Sequence, residues 1–108
     1  MKTYIIAEVG PNHNGSISVA IEFIEALSKI GVDAVKFQLA VPENFYSKDA
    51  ILADYQKKNM KLTNPLEVSK KYQFSFDEHK ILYNKCLENN IQYLCSAFDI
   101  ESIKFINN

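Results

Sequence analysis

The sequence predicts an α/β fold in which three short parallel strands alternate with helices. Three apolar runs, at residues 4–8, 32–38 and 91–96, predict the strands, and each run ends in polar side chains. Residues 16–30 and 75–88, which lie between these runs, carry apolar side chains at helical spacing. Strands that alternate with helices pair in parallel through right-handed crossovers, so we expect about three βα units.

The first strand and the first helix have the clearest patterns. Residues 4–8 are almost continuously apolar, which is typical of a strand that is covered on both faces. The loop that follows contains two strong turn pairs, Gly10-Pro11 and Asn14-Gly15. Gly31 predicts the end of the helix, because glycine adopts a left-handed C-terminal conformation without strain.

A long connection follows the second strand. Residues 39–75 contain Pro42, Pro65 and many polar side chains. A short helix is expected at residues 49–57, where apolar side chains fall on one side. Long connections in compact domains tend to be functional or mobile.

Local capping signals predict the last two helices. Ser75 and Glu78 form a capping box, so a helix is expected from there to about residue 88. Asp99 is expected to cap a further helix, whose apolar residues are Ile100, Ile103 and Ile106.

Two architectures are compatible with this order of elements. Residues 1–108 could form a small open sheet, or they could be the N-terminal portion of a larger TIM (β/α)₈ barrel. Such a barrel needs about 250 residues. In either case we expect one domain.

The composition excludes several classes of function. The chain is 47% hydrophobic and 23% charged, as in soluble globular proteins. Its net charge of -1 gives no reason to expect nucleic acid or an anionic membrane surface as a partner. No apolar run approaches the ~20 residues that span a bilayer, and the N-terminus lacks the features of a signal peptide. Cytoplasm is therefore the expected location.

The cysteines and histidines do not form a recognisable metal motif. Cys86 and Cys95 lack CxxC spacing, which argues against metal or redox use and predicts apolar packing. His13 lies in a polar loop without a second ligand at matching spacing, so we expect a hydrogen-bonding or surface residue rather than a metal ligand. His79, within a predicted helix, is expected on the surface.

Polar side chains at the strand ends form the candidate site. Glu8 ends the first strand, Lys36 and Gln38 end the second, and Ser96 ends the third. Ligands of α/β proteins bind at the carboxyl ends of parallel strands, so these side chains are expected to meet at one mouth. Glu8 is either a general acid or base, a ligand of a sugar hydroxyl, or a structural carboxylate that braces the loop after it.

The role of Lys36 is also open at this level. A buried lysine needs an anionic partner, which is either Glu8 or a carboxylate or phosphate ligand. Gln38 shares the face of Lys36, because side chains alternate along a strand. Ser96 precedes a helix N-terminus, where phosphate binds readily, but it could equally be a turn or cap serine. The chain has no glycine-rich phosphate loop of the GxGxxG or GKS/T type.

Several motifs resemble the sialic acid synthase family over essentially the whole chain. They are IAEVGPNHNG at residues 6–15, GVDAVKFQ at 31–38 and CSAFD at 95–99. ADYQKKN at residues 53–59 resembles the bacterial members, which include N-acetylneuraminate and N,N'-diacetyllegionaminate synthases.

The resemblance implies that the chain is the N-terminal portion of a TIM barrel in a transferase. The family condenses phosphoenolpyruvate with an N-acetylated hexosamine, either N-acetylmannosamine or a diacetamido-dideoxy hexose. The products are a nonulosonic acid, used in cell-surface polysaccharides, and phosphate. A divalent metal, Mn²⁺ or Mg²⁺, binds the open-chain aldehyde through histidines that this chain does not contain. Full-length members are expected to be homodimers.

The resemblance also implies roles for residues at matching positions. Glu8 is the expected catalytic acid or base. The expected substrate-binding residues are Lys36, Gln38, Ser96, Asn12 and His13. Of these, Lys36 and Ser96 resemble phosphoenolpyruvate ligands, whereas Gln38 lies at the sugar aldehyde end with Glu8.

One departure from the family pattern concerns the third strand. The family often has Ser/Thr-Thr-Pro where this chain has Cys95-Ser96-Ala97. The change keeps the hydroxyl but loses a proline that would rigidify the turn. The alternative to a synthase is an inactive fragment, or a small α/β anion-binding module without catalysis of its own.

Overall fold

Three parallel strands form one sheet in the chain order β1-β2-β3. The computed structural model describes residues 2–45 and 65–108 of the chain. Strand β1 spans Ile6–Glu8, β2 spans Ala34–Leu39 and β3 spans Gln92–Ala97. Both neighbouring pairs are parallel, which confirms the predicted α/β arrangement.

Helices connect and follow the strands. The described helices are α1 (Ile17–Lys29), α2 (Pro42–Phe45), α3 (Pro65–Tyr72), α4 (Phe76–Glu88) and α5 (Ile100–Ile106). The connection expected as a loop over residues 39–75 therefore contains helices α2 and α3. The helix expected at residues 49–57 lies outside the described residues. Within the described ranges, no helix is both long enough and apolar enough to cross a bilayer.

Local hydrogen bonds set the helix ends, as the sequence predicts. The Ser75 hydroxyl accepts the Glu78 N–H at 3.1 Å, and the Glu78 carboxylate accepts the Ser75 N–H at 3.0 Å. Asp99 caps α5 by accepting the Ser102 N–H at 2.8 Å. After α1, Gly31 has a φ of +86°, the left-handed conformation expected of it. These predictions depend only on neighbouring residues, which is why they are confirmed.

The hydrophobic core lies between one face of the sheet and helices α1 and α4. The cluster is formed by Val9, Ala20, Ile24, Val35, Phe37, Phe74, Leu82, Cys86 and Ile91. Sequential strand order with both connecting helices on one face makes the sheet singly wound. The opposite face carries no helix from the described part of the chain.

The prediction that the first strand is covered on both faces is wrong for the described residues. Ile6 is 50% exposed, and Tyr4 and Ile5 before it are also exposed. Strand β1 lies at the edge of the sheet. Ile6 points to the face without helices, because it pairs with Ala34, which lies on the same side of β2 as Lys36. The apolar side chain of Ile6 is thus not fully buried by the described part of the chain.

His79 is buried, so the expectation that it lies on the surface is wrong. It is 1% exposed and is hydrogen-bonded through Nδ1 to the Tyr93 hydroxyl at 2.7 Å. Together with Leu82 and Cys86 it forms the buried face of α4, at the spacing i, i+3 and i+7. The surface expectation treated histidine as polar and overlooked that spacing.

The two cysteines are free thiols. Cys86 is buried in the core, and burial raises its pKa to about 12. Cys95 is only partly buried, and burial raises its pKa as well. Both thiols are therefore protonated at neutral pH, which fits packing rather than redox chemistry.

The loop that follows β1 packs closely against the end of helix α3. Gly15 has a φ of +77°, and a Cβ at this position would collide with the Lys71 carbonyl oxygen. Gly31 has a similar φ, but a Cβ there would meet nothing within 4 Å. Substitutions at these two glycines would therefore separate the cost of the left-handed conformation from the cost of close packing.

We expect acid to destabilise the fold. Burial lowers the pKa of His79 from 6.5 to about 4, and nearby His13 lowers it further, whereas Glu78 opposes the shift. The unfolded chain therefore binds a proton at a higher pH than the folded one. The stability that neutral His79 contributes is fully present above pH 6.5. About 3 kcal/mol of the free energy of unfolding is lost as the pH falls to about 4.

Denaturant unfolding across this pH range checks the prediction. The control is His79→Gln, which cannot take up a proton but can still hydrogen-bond to Tyr93. The free energy of unfolding of this variant should fall less in acid than that of the unmodified protein, by the roughly 3 kcal/mol that His79 accounts for. An equal acid loss in the variant would show that His79 is not the group responsible.

Gly15→Ala should destabilise the protein more than Gly31→Ala. Alanine at position 31 introduces only the strain of a left-handed conformation, at about 1 kcal/mol. At position 15 overpacking against backbone is added, for a total of about 3 kcal/mol. Urea unfolding of both variants measures the difference, and equal losses would contradict the close packing of Gly15 on α3.

Candidate active site at the strand ends

The strand register brings four of the predicted site residues to one face of the sheet. Glu8 pairs with Lys36 across β1 and β2, and Gln38 pairs with Ser96 across β2 and β3. Paired residues point to the same face, and so do residues two apart on a strand. Glu8, Lys36, Gln38 and Ser96, here called the strand-end cluster, therefore share the face opposite the helices.

Lys36 and Glu8 form an ion pair within this cluster. Lys36 Nζ lies 3.2 Å from Glu8 Oε2, with the two side chains 38% and 46% exposed. Lys36 was expected to be buried, and it is not, because this face is uncovered among the described residues. An exposed ion pair contributes about 0–1 kcal/mol to stability.

The two sequence-based interpretations of Lys36 are compatible in this geometry. The ammonium has Glu8 as a partner, yet it carries more N–H donors than one carboxylate oxygen can use. Its exposed side remains accessible to a further anion. The cluster thus presents an ammonium group, a carboxylate, an amide and a hydroxyl to one ligand.

Gly10 is a site residue that sequence reasoning missed. It has a φ of +48°, and a Cβ on it would lie 3.3 Å from both Gln38 Nε2 and Glu8 Oε1. Its backbone therefore runs directly against two members of the strand-end cluster. The sequence signal was present, because a glycine that follows a strand-end carboxylate allows close approach, but Gly10 was interpreted only as a turn residue.

Asn12 and His13 shape the loop beside Glu8. Asn12 is exposed, and its Nδ2 donates to the Val9 carbonyl oxygen at 2.8 Å. His13 is 3% exposed, its Nδ1 accepts the Gly15 N–H at 2.9 Å, and its ring stacks on Phe74 at 4.1 Å between centroids. The contacts described for both residues are within the protein, and their roles in substrate binding stay predictions.

The His13 imidazole is suited to this position in its neutral form. Burial lowers the pKa of His13, although Glu78 acts in the opposite direction. A neutral imidazole has one acceptor nitrogen, and the Gly15 N–H occupies it. His13 thus connects the loop to the core through both a hydrogen bond and an aromatic contact.

The described residues do not supply a metal centre. No group of three or more histidine, cysteine, aspartate or glutamate side chains in residues 2–45 and 65–108 is arranged to hold an ion. The divalent metal expected from the family resemblance therefore has no ligand set in this part of the chain.

Comparison with known proteins identifies close similarity to nonulosonic acid synthases. The N,N'-diacetyllegionaminic acid synthase of Campylobacter jejuni is 37% identical over 107 residues, which cover 98% of this chain and 32% of that protein. The enzyme of the same name from Legionella pneumophila is 35% identical over 107 residues, covering 98% and 30%. The chain thus spans about a third of the length of the curated relatives it matches.

A solved structure has the same fold. The crystal structure of an N-acetylneuraminic acid (sialic acid) synthetase from Leptospira borgpetersenii, in complex with citrate, superposes with a TM-score of 0.78 at 22% identity. The match covers 99% of this chain and 33% of that one. At this identity the likeness concerns the fold alone.

Family membership rests on a further comparison. The sequence profile of the NeuB family matches residues 23–108, which is most of the chain. The match includes strands β2 and β3 with three members of the strand-end cluster. On this evidence, the chain belongs to the NeuB family.

Proposed function

We propose that the protein containing this chain condenses phosphoenolpyruvate with an N-acetylated hexosamine, giving a nonulosonic acid and phosphate. The observation that carries the proposal is the strand-end cluster, in which a cation, a carboxylate, an amide and a hydroxyl share one sheet face. Membership of a family whose relatives are named as nonulosonic acid synthases supports it. The chain would form the first part of a TIM barrel, with its uncovered face toward the barrel interior.

Lys36 and Ser96 would bind phosphoenolpyruvate. This substrate carries a carboxylate and a phosphate, and both accept charge-assisted hydrogen bonds from an ammonium group. The Glu8 carboxylate, 3.2 Å from Lys36 Nζ, would repel a second anion. The phosphoenolpyruvate would therefore lie on the other side of the ammonium group, toward β3 and the Ser96 hydroxyl.

Glu8 and Gln38 would face the sugar aldehyde. In the overall reaction, C3 of phosphoenolpyruvate bonds to the aldehyde carbon and water adds at C2. The bond between C2 and the phosphate oxygen then breaks, which releases phosphate. A proton must reach the aldehyde oxygen, and the attacking water must lose one. Glu8 would serve as this acid or base, or would position the carbonyl and the water, with Gln38 beside it.

Metal chemistry is not assigned to the described residues. The Mn²⁺ or Mg²⁺ of the proposal would take its ligands from outside residues 2–45 and 65–108. No step above is derived through it.

Lys36→Ala should weaken phosphoenolpyruvate binding by about ten- to a hundredfold. The variant loses a hydrogen bond to a charged group, which is worth about 1.5–3 kcal/mol. Titration calorimetry on the natural protein that contains this chain measures the affinity. The matched control is Lys29→Ala, because Lys29 is exposed at the end of α1. Unchanged affinity in Lys36→Ala would make the assignment wrong.

Glu8→Gln should retain phosphoenolpyruvate binding and lose phosphate release. Glutamine has a similar size but cannot exchange a proton as a carboxylate does. The assay measures phosphate released in the presence of Mn²⁺ and N-acetylmannosamine or a diacetamido hexose. Full release by Glu8→Gln would contradict the catalytic role. Binding without release in the unmodified protein, with both sugars, would favour an anion-binding module without catalysis.

A further inference from the structure

The Asp99 carboxylate connects the segment after β2 with the segment after β3. Its Oδ2 accepts the Val41 N–H at 2.6 Å and the Ser102 hydroxyl at 3.1 Å. Its Oδ1 accepts the Ser102 N–H at 2.8 Å, which is the N-cap of α5. The cap needs only one of these oxygens. The bond to Val41 joins residues that are far apart in the sequence and is not part of helix capping.

This connection lies directly beyond the strand-end cluster. The paired ladder between β2 and β3 ends at Leu39 and Ala97. One further backbone bond, from the Phe98 N–H to the Leu39 carbonyl oxygen at 3.0 Å, extends it. The contact between the Asp99 carboxylate and the Val41 N–H comes next.

The segment after β2 is held from two sides. On one side, the Ala40 N–H donates to Gln73 Oε1 at 3.2 Å, and on the other the Val41 N–H donates to Asp99. Asn44 Nδ2 also donates to Glu101 Oε1 at 3.1 Å, but this contact is exposed. Asp99 is the acceptor that ties this segment directly to the end of β3.

The aspartate is ionised when it makes these bonds. Burial by itself would raise the pKa of Asp99, but the hydrogen bonds from Ser102 and Val41 outweigh it and lower the pKa. Hydrogen bonds to a charged acceptor are stronger than neutral ones. The hydrogen bond from the Val41 N–H to Asp99 is therefore stronger than one to a neutral acceptor would be.

We propose that Asp99 is a positioning residue for the strand-end cluster. By holding the Val41 N–H, it keeps the ladder between β2 and β3 closed at its end, and with it the relative position of the Gln38 and Ser96 side chains. In the proposed reaction these two side chains contact different substrates. Asp99 would thus control how the sugar aldehyde is presented to phosphoenolpyruvate. This inference rests on the proposed function.

Asp99→Asn separates positioning from capping. Asparagine is as good an N-cap as aspartate, so its Oδ1 can still accept the Ser102 N–H. Its Nδ2 is a donor and cannot accept the Val41 N–H. A second variant, Asp99→Ser, also keeps a capping oxygen but has no second oxygen to accept the Val41 N–H. The matched control is Ser75→Ala, which removes a cap from α4 but none of the hydrogen bonds described between the segments after β2 and β3.

Steady-state kinetics of the natural protein are measured together with thermal unfolding. Both Asp99 variants should lose about ten- to a hundredfold in kcat/KM, because a misplacement of about 1 Å at the reacting groups costs about a hundredfold. Ser75→Ala should keep kcat/KM near that of the unmodified protein, although it lowers the melting temperature. In a Gln38→Ala background, Asp99→Asn should have a clearly smaller effect, because the side chain that it positions is gone.

Three outcomes would overturn the inference. The first is normal kcat/KM in both Asp99 variants. The second is a loss that adds independently to that of Gln38→Ala, as a purely structural role predicts. The third is an unmodified protein that neither binds phosphoenolpyruvate nor releases phosphate, which would refute the proposed function together with the inference.

Discussion

The register of strand β2 is the constraint on which the rest of the structure depends. Its side chains alternate, with Val35 and Phe37 fully buried on one face and Lys36 and Gln38 on the other. A shift by one residue would turn the lysine into the core and the two apolar side chains out of it. An unpaired lysine in an apolar core is very costly, so one register is strongly preferred.

This register also separates stability from chemistry. Helices α1 and α4 cover the apolar face, and most of the buried core lies there. The polar side chains that remain are collected on the opposite face, where their exposed contacts contribute little to folding. Parallel pairing then places Glu8 level with Lys36, and Ser96 level with Gln38, on three adjacent strands. The candidate site is thus a consequence of burying the other half of each strand.

Local patterns account for what the sequence predicts correctly. The strands follow from apolar runs, and the helix ends follow from Ser75, Asp99 and Gly31, whose partners lie within a few residues. The grouping of the four strand-end residues was also predictable, since it requires only parallel pairing and alternation. The identity of the ligand came from the family resemblance rather than from these patterns.

Long-range contacts account for what the sequence does not predict. The burial of His79 in α4 brings it against Tyr93 of strand β3, and the tight packing of Gly15 depends on α3. The exposure of Ile6 depends on its place at the sheet edge. The helical spacing of His79 with Leu82 and Cys86 does indicate its burial. The packing of Gly15 and the exposure of Ile6 cannot be inferred from neighbouring residues, because the same residue types occur in loops and strands for other reasons.

The side chains of the strand-end cluster are positioned by backbone segments that follow the strands. Gly10 lies against Glu8 and Gln38, and its loop is held to the core by the stacking of His13 on Phe74. The segments after β2 and β3 are joined through Asp99. In sequence these residues resemble ordinary turn and cap positions. In the fold they set the spacing of the polar groups, because exposed side chains on an uncovered sheet face have few other contacts to hold them.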